Sequence, residues 1–321
     1  MEQIGAGAKK RFSRNAQSRL RNSILALLLF CFIGLPAVTS KAQDEEDNTP
    51  VKVDTLLLTI PLTVNDKKGA SIAGLKKENF TIYEDGLARD IDLFMNEEAP
   101  MNVAILLDTS YSTKNVLDNI QKAARDFVKI LRPEDRAIIV GFDRHTVFLS
   151  GLESDHKTLS KAIERVRVSG DNGSDMYEAI TLVTENYFAA LKGRKAIIAL
   201  TDGMVSGNGI STQETMDAMQ KADTFFYPII FKTPANSRPA AKKPVLVELV
   251  EIMSEVTGGK MYEKDSTKLK EAFESIADDL KNQYLLGFYP RNTSTGTGRS
   301  RVRVGVDREN LFVRIKKKLD Y

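Results

Sequence analysis

The sequence predicts an α/β protein: a doubly wound, mostly parallel sheet inserted in a small all-β domain that N- and C-terminal strands build together. Three observations predict it. Four runs, Val103–Leu107, Ala137–Phe142, Ala196–Leu200 and Phe225–Phe231, are continuously apolar, as parallel strands covered on both faces are. Helical periodicity stands between them. Short strands bounded by turn residues flank this alternation, and each flanking set alone is too small for an independent sheet core.

The first 42 residues differ from the rest. Lys9, Lys10, Arg11, Arg14, Arg19 and Arg21 face one acid, Glu2; Ile24 to Val38 is almost wholly apolar; Ser40-Lys41-Ala42 is small-x-small. Basic, apolar, small is the order of a secretory signal peptide, here residues 1–42. The apolar run is shorter than the ~20 residues of a spanning helix, and Pro36 interrupts its end, so a retained anchor ranks second. The expected location is therefore the periplasm, the exterior or the cell surface, with membrane contact only through an uncleaved leader. Cys31 is the one cysteine and lies in this leader. Phe30 precedes it where lipid attachment needs a small residue, and apolar chain follows. Cleavage after Ala42 leaves no thiol, so the exported chain must rest on its packed core or on a bound metal.

Residues 43–50 read as an acidic linker. Residues 51–99 form the first half of the small β domain. Leu56–Val64 is a strand, Asn65-Asp66 and Lys68-Gly69 are turn signals, Phe80–Tyr83 is a second strand closed by Glu84-Asp85-Gly86, and Ile91–Met95 is a third. Residues 100–263 form the α/β domain. After the strand at 103–107, Val116, Ile120, Ala123, Ala124, Phe127 and Leu131 mark a helix; Leu159, Ile163 and Val166 mark another; Met176, Ile180, Val183, Tyr187 and Leu191 mark a third. Val245–Val256 is a helix stopped by Gly258-Gly259. Lys232–Pro244 holds three prolines and a basic pair and reads as an exposed loop. Residues 264–321 complete the small β domain with an amphipathic helix (Leu269, Phe273, Ile276, Leu280) and strands at 284–289, 301–306 and 311–315, with a loop at 291–300. No internal repeat is visible.

Composition narrows the function. The chain has 321 residues, 42% hydrophobic and 28% charged, which is ordinary for a globular protein. The formal charge of +3 misleads, because seven Lys/Arg and one acid lie in the leader, leaving −3 for the rest. That balance gives no electrostatic reason for nucleic-acid binding.

Chemistry concentrates at three places. Val103–Ser112 (VAILLDTSYS) is an apolar strand that ends in Asp108, with Ser110 and Ser112 behind it. Ala196–Gly203 (AIIALTDG) is a second strand that ends in Asp202. Asn172-Gly173-Ser174-Asp175 is a polar turn before a helix. In open α/β sheets, ligands sit beyond the carboxyl ends of the strands. Asp108, Ser110, Ser112, Ser174 and Asp202 then supply five hard oxygen donors, which suit Mg²⁺, with Mn²⁺ or Ca²⁺ as alternatives. Two acids offset the ion's charge, and the hydroxyls add ligands without charge. The plainer alternative is a pair of strand-end turns with Asp/Ser caps.

The stretches Asp108-Thr109-Ser110-Tyr111-Ser112, Ser174 and Thr201-Asp202-Gly203 resemble the metal-ion-dependent adhesion site of von Willebrand factor type A domains, and the alternation over 101–262 resembles that fold. The family pattern is Asp-x-Ser-x-Ser, then a Thr, then an Asp after a later strand. Ser174 stands where Thr is usual, Tyr111 where many members have Gly, and Asn172-Gly173 replaces a Gly-Gly pair. The segments Gly74–Phe80 with Glu84-Asp85-Gly86, and Gln283–Pro290, resemble the flanks of bacterial exported VWFA-related proteins. The resemblance implies a binding module rather than an enzyme: a divalent cation whose sixth position accepts a carboxylate from a protein partner. Two alternatives remain at this stage. One is an envelope scaffold without a metal-dependent ligand. The other is an Mg²⁺-dependent phosphoryl-transfer enzyme with Asp108 as nucleophile, which Ser110 and the lack of a Gly-rich phosphate loop disfavour. Asp171 and Asp175 read as turn and cap residues, His145 and His156 as loop histidines, Tyr111 as a rim or local packing residue, and Lys316-Lys317-Lys318 as a solvated end.

Overall fold

The computed structural model describes residues 57–96, 100–170, 173–204, 210–232, 245–291 and 301–316. The signal peptide, the acidic linker, Asp171-Asn172 and the bulk of the 232–244 and 291–300 loops expected from the sequence lie outside them, as do Lys317 and Lys318. Among the described residues no helix is long and apolar enough to cross a membrane.

In chain order the elements are β1 (Leu58–Asp66), β2 (Phe80–Glu84), β3 (Leu87–Arg89), β4 (Leu93–Met95), β5 (Met101–Asp108), α1 (Leu117–Val128), β6 (Arg136–Phe142) and β7 (Thr146–Phe148). Then come α2 (His156–Glu164), α3 (Met176–Val183), β8 (Arg194–Thr201), α4 (Thr212–Lys221), β9 (Thr224–Lys232), α5 (Val245–Thr257), β10 (Tyr262–Asp265), α6 (Leu269–Lys281), β11 (Gln283–Phe288), β12 (Val302–Val306) and β13 (Leu311–Ile315).

The central sheet has the order β10-β9-β8-β5-β6-β7. Its first five strands pair in parallel and β7 returns antiparallel on β6. Alternation splits each buried strand between two cores. Val103, Ile105 and Leu107 of β5 pack under α1, α2 and α6, whereas Ala104 and Leu106 pack under α3, α4 and α5. This is the doubly covered arrangement that continuous apolar strands require, since neither face meets water.

The remaining strands form a small sandwich. One sheet has the order β13-β1-β11-β4, the other β12-β2-β3. Ile60, Leu62, Val64, Phe80, Ile82, Tyr284, Leu286 and Phe288 fill it. The Tyr284 hydroxyl donates to the Ile72 carbonyl at 2.9 Å and accepts from Leu75 N–H at 3.0 Å, which satisfies a buried polar tip. Residues 58–66 thus pair with residues that follow the whole α/β region, β1 lying between β11 and β13.

Several details depart from the sequence reading. The helix that opens the 264–321 segment, α6, lies on the central sheet rather than in the sandwich: Phe273 meets Phe127 of α1 at 5.0 Å between ring centroids. The helix expected to run past Tyr187 is α-helical only to Val183; Thr184–Phe188 is a π-turn, and the Thr184 hydroxyl bonds the Ile180 carbonyl. Helix α4 and strands β3, β7 and β10 were not anticipated. In α4 only Thr215 and Met219 are buried, so the apolar period is too sparse to see, although Ser211 and Glu214 form a capping box.

Candidate functional site

The C-terminal ends of β5, β6 and β8 meet at one edge of the central sheet, and the site is built there from their loops. Asp108, the last residue of β5, is fully buried. Its Oδ1 accepts the Ser110 N–H at 3.0 Å, the local turn that aspartate side chains favour. Its Oδ2 accepts two hydroxyls, from Thr201 at 2.7 Å and from Ser174 at 3.2 Å. The Ser110 and Ser112 hydroxyl oxygens are 3.0 Å apart. Asp202 is buried and adjoins Thr201, and its charge acts on Asp108. All five residues expected from the sequence therefore gather at one sheet edge.

A network of short links holds the loops. Thr109 N–H donates to the Phe142 carbonyl at 2.8 Å, and the Thr109 carbonyl accepts from Ser169 N–H at 2.9 Å. The Thr109 hydroxyl donates to Asp143 at 3.0 Å. The Asp143 carbonyl accepts Asp175 N–H at 2.6 Å, and the Asp175 carboxylate caps α3 through Glu178 N–H at 3.1 Å. Ser174 is therefore fixed between a capped helix and the end of β6. On the other side Gly203 takes φ 78°, a left-handed turn that glycine adopts freely. It brings Met204 N–H to the Asp202 carboxylate at 3.0 Å.

Thr201 and Asp143 were not assigned roles from the sequence. Thr201 preceded Asp202 in the quoted motif, but a β-branched strand residue gave no sign that its hydroxyl turns toward Asp108. Asp143 follows β6 at the same edge as Asp108 and Asp202, and that position was the available signal. Asp175 acts as a cap, in keeping with its reading as a turn residue.

The electrostatics are those of negative charge waiting for compensation. Burial pushes the Asp108 carboxyl up to about 6, against the opposing hydrogen bonds of Ser110 and Thr201 and with a further push from Asp202. The donors on Asp108 are neutral hydroxyls and a backbone N–H. Two carboxylates and three serine hydroxyls fit a hard divalent cation, which would relieve the cost of ionising Asp108. Among the described residues no group of three or more His, Cys, Asp or Glu side chains is arranged to hold a metal. Hydroxyls form most of the donor set here, three serines beside two aspartates.

Residues 103–204 match the model of the von Willebrand factor type A domain. No curated protein matches the chain. Among solved structures, a conserved hypothetical protein BatB from Bacteroides thetaiotaomicron is similar at 18% identity and TM-score 0.47, over 57% of this chain and 100% of that one. The vWF domain of the type V pili tip protein Mfa5 from Porphyromonas gingivalis is similar at 12% identity and TM-score 0.43, over 56% of this chain and 94% of that one. Proximal thread matrix protein 1 from the mussel byssus, with a zinc-occupied MIDAS motif, is similar at 16% identity and TM-score 0.49, over 61% of this chain and 49% of that one.

Proposed function

We propose that this chain, which carries a von Willebrand factor type A domain, is an exported, metal-dependent protein-binding or adhesion module. Asp108, Ser110, Ser112, Ser174 and Asp202 would hold Mg²⁺, with Mn²⁺ or Ca²⁺ as alternatives. The bound ion supplies a Lewis-acidic coordination position for an acidic side chain of a protein partner. One observation carries the reading: Asp108 is a wholly buried carboxylate whose hydrogen-bond donors among the described residues are neutral, beside a second buried carboxylate. A buried charge with neutral donors alone is costly, and a cation at this edge offsets that cost.

Binding accounts for this geometry better than catalysis. The Asp108 Oδ2 already accepts two hydroxyls, and burial withholds it from attack on a substrate. Thr201 orients that carboxylate, and the Gly203 turn fixes the loop that carries Asp202. The proposed setting is the periplasm or the cell surface, reached through the leader at 1–42.

Calorimetric titration of the full chain with Mg²⁺, Mn²⁺ and Ca²⁺ tests the reading. Saturable heat with at least one ion is expected, and Asp108→Ala should abolish it while retaining the far-ultraviolet circular dichroism spectrum. No heat with any of the three ions would favour a scaffold that assembles without metal.

A further inference from the structure

We infer that the rim of this site selects an acidic partner residue flanked by an apolar side chain, presented on an exposed peptide segment, and discriminates against a basic flank. The inference rests on the metal-dependent reading above and adds the neighbour of the coordinating acid.

Two large apolar side chains stand out of the surface on the very loops that carry the donors. Tyr111, between Ser110 and Ser112, is 53% exposed, and Met204, two residues after Asp202, is 55% exposed. Their loops leave β5 and β8, which pair directly in the sheet, and neighbouring strands lie about 4.8 Å apart. Tyr111 and Met204 therefore stand on two loops that leave adjacent strands at the same sheet edge.

Neither side chain is placed by chance. Tyr111 opens a single 3-10 turn, Tyr111–Thr113, closed by Thr113 N–H to the Ser110 carbonyl at 3.0 Å and Lys114 N–H to the Tyr111 carbonyl at 3.2 Å. The Met204 backbone is held by the Asp202 carboxylate itself. A rigid aromatic and a pliable thioether around a polar centre form the kind of surface that protein interfaces use.

Charge sets the second half of the preference. The Lys114 ammonium lies 5.5 Å from the centroid of the Tyr111 ring, within cation–π range. It puts a positive charge beside Tyr111 on the loop that carries Ser110 and Ser112. An incoming carboxylate is attracted by it, and a Lys or Arg beside that carboxylate is repelled. A Leu or Phe flank meets Tyr111 and Met204 without that penalty. Removing roughly 60 Å² of apolar surface from water corresponds to about a tenfold gain in affinity.

The test uses biosensor surfaces densely coated with Gly-Gly-Leu-Asp-Gly-Gly, or with the same peptide carrying Ala or Lys in place of Leu. The full chain is passed over them in Mg²⁺ and in chelator. The expected order in Mg²⁺ is Leu over Ala by about tenfold, with Lys weakest, and no capture in chelator. The Leu-to-Ala ratio should fall to near one in a Tyr111→Ala, Met204→Ala double variant, and Lys114→Ala should raise capture on the Lys surface. Melting temperatures matched to the parent chain exclude unfolding as the cause. Metal-dependent capture that is equal on all three surfaces, or a ratio unchanged in the double variant, overturns the inference and leaves the metal reading standing. Absence of metal-dependent capture on every surface in Mg²⁺, Mn²⁺ or Ca²⁺ overturns the inference, and the metal reading falls with it where calorimetry also shows no heat with any of the three ions.

Discussion

Replacing Asp108 with asparagine separates the cost of a buried charge from the benefit of the cation that would offset it. Burial raises this carboxyl from its ordinary 3.8 to about 6. In the metal-free protein at neutral pH, its ionised form therefore costs about 3 kcal/mol of folding stability. The sign follows from which state holds the proton. The folded state binds it more tightly than the unfolded state, so this group favours folding most below about pH 4, and that advantage is lost as pH rises through about pH 6. Asparagine cannot ionise. Its amide oxygen replaces one acceptor, and the rotatable hydroxyls of Thr201 and Ser174 can turn to accept from its NH₂, at a cost on the order of 1 kcal/mol. The metal-free variant should then be more stable than the parent by about 2 kcal/mol at neutral pH. Urea unfolding followed by circular dichroism, in chelator and in excess Mg²⁺, measures both halves. Mg²⁺ should stabilise the parent and leave Asp108→Asn unmoved. In chelator, the parent should lose stability relative to the variant as pH rises from about pH 4 through pH 6. A variant less stable than the parent in chelator, or one that Mg²⁺ stabilises equally, refutes the reasoning.

Three other outcomes follow from the packing. Thr201→Val keeps the shape of the side chain but deletes the 2.7 Å donor to Asp108; Mg²⁺ affinity by calorimetry should drop about tenfold, as for lost partners of metal ligands. Arg314→Met strands the buried Asp279 carboxylate with the Ser71 hydroxyl and should cost about 3 kcal/mol in urea unfolding, most of it regained by adding Asp279→Leu. Gly259→Ala places a Cβ 1.8 Å from the Phe226 carbonyl oxygen. A shift of β9 or of the α5–β10 turn must follow, at about 2 kcal/mol or more, and an unchanged melting temperature would contradict that close approach.

Much of this molecule can be read from its residues, and what escapes does so for physical reasons. Strands β5, β6, β8 and β9 announce themselves because burial on both faces demands unbroken apolar runs. Helices α1, α2 and α6 do so because a single apolar stripe repeats along each. Edge strands β7 and β10 are short and half solvated, so no pattern marks them. Helix α6 was grouped with the strands that follow it because sequence order carries no information on which core its apolar stripe enters. Phe273 and Leu280 settle that by packing on α1 and the central sheet. At the site, the aspartates and serines were visible because strand ends and Asp-x-Ser-x-Ser spacing are local features. The link from Thr201 to Asp108 spans 93 positions and exists only once β8 lies beside β5. The same holds for Asp143, whose partner Thr109 directly follows the neighbouring strand β5.

The pairing of β1 with β13 also decides how the chain carries load. Leu62 of β1 lies opposite Ile315 of β13, and the strands run antiparallel. Tension applied through the chain before β1 and after β13 therefore enters the sandwich at the same end of this ladder. It peels the hydrogen bonds apart one after another instead of shearing them together. The seam also includes ion pairs to the α/β region, from Arg314 of β13 to Asp279 of α6 and from Lys316 to Asp223, and these load together with the first rungs of the ladder. A tethered molecule would thus yield first at its β13 seam, where the ladder and these ion pairs meet, ahead of the shared ladders of the central sheet.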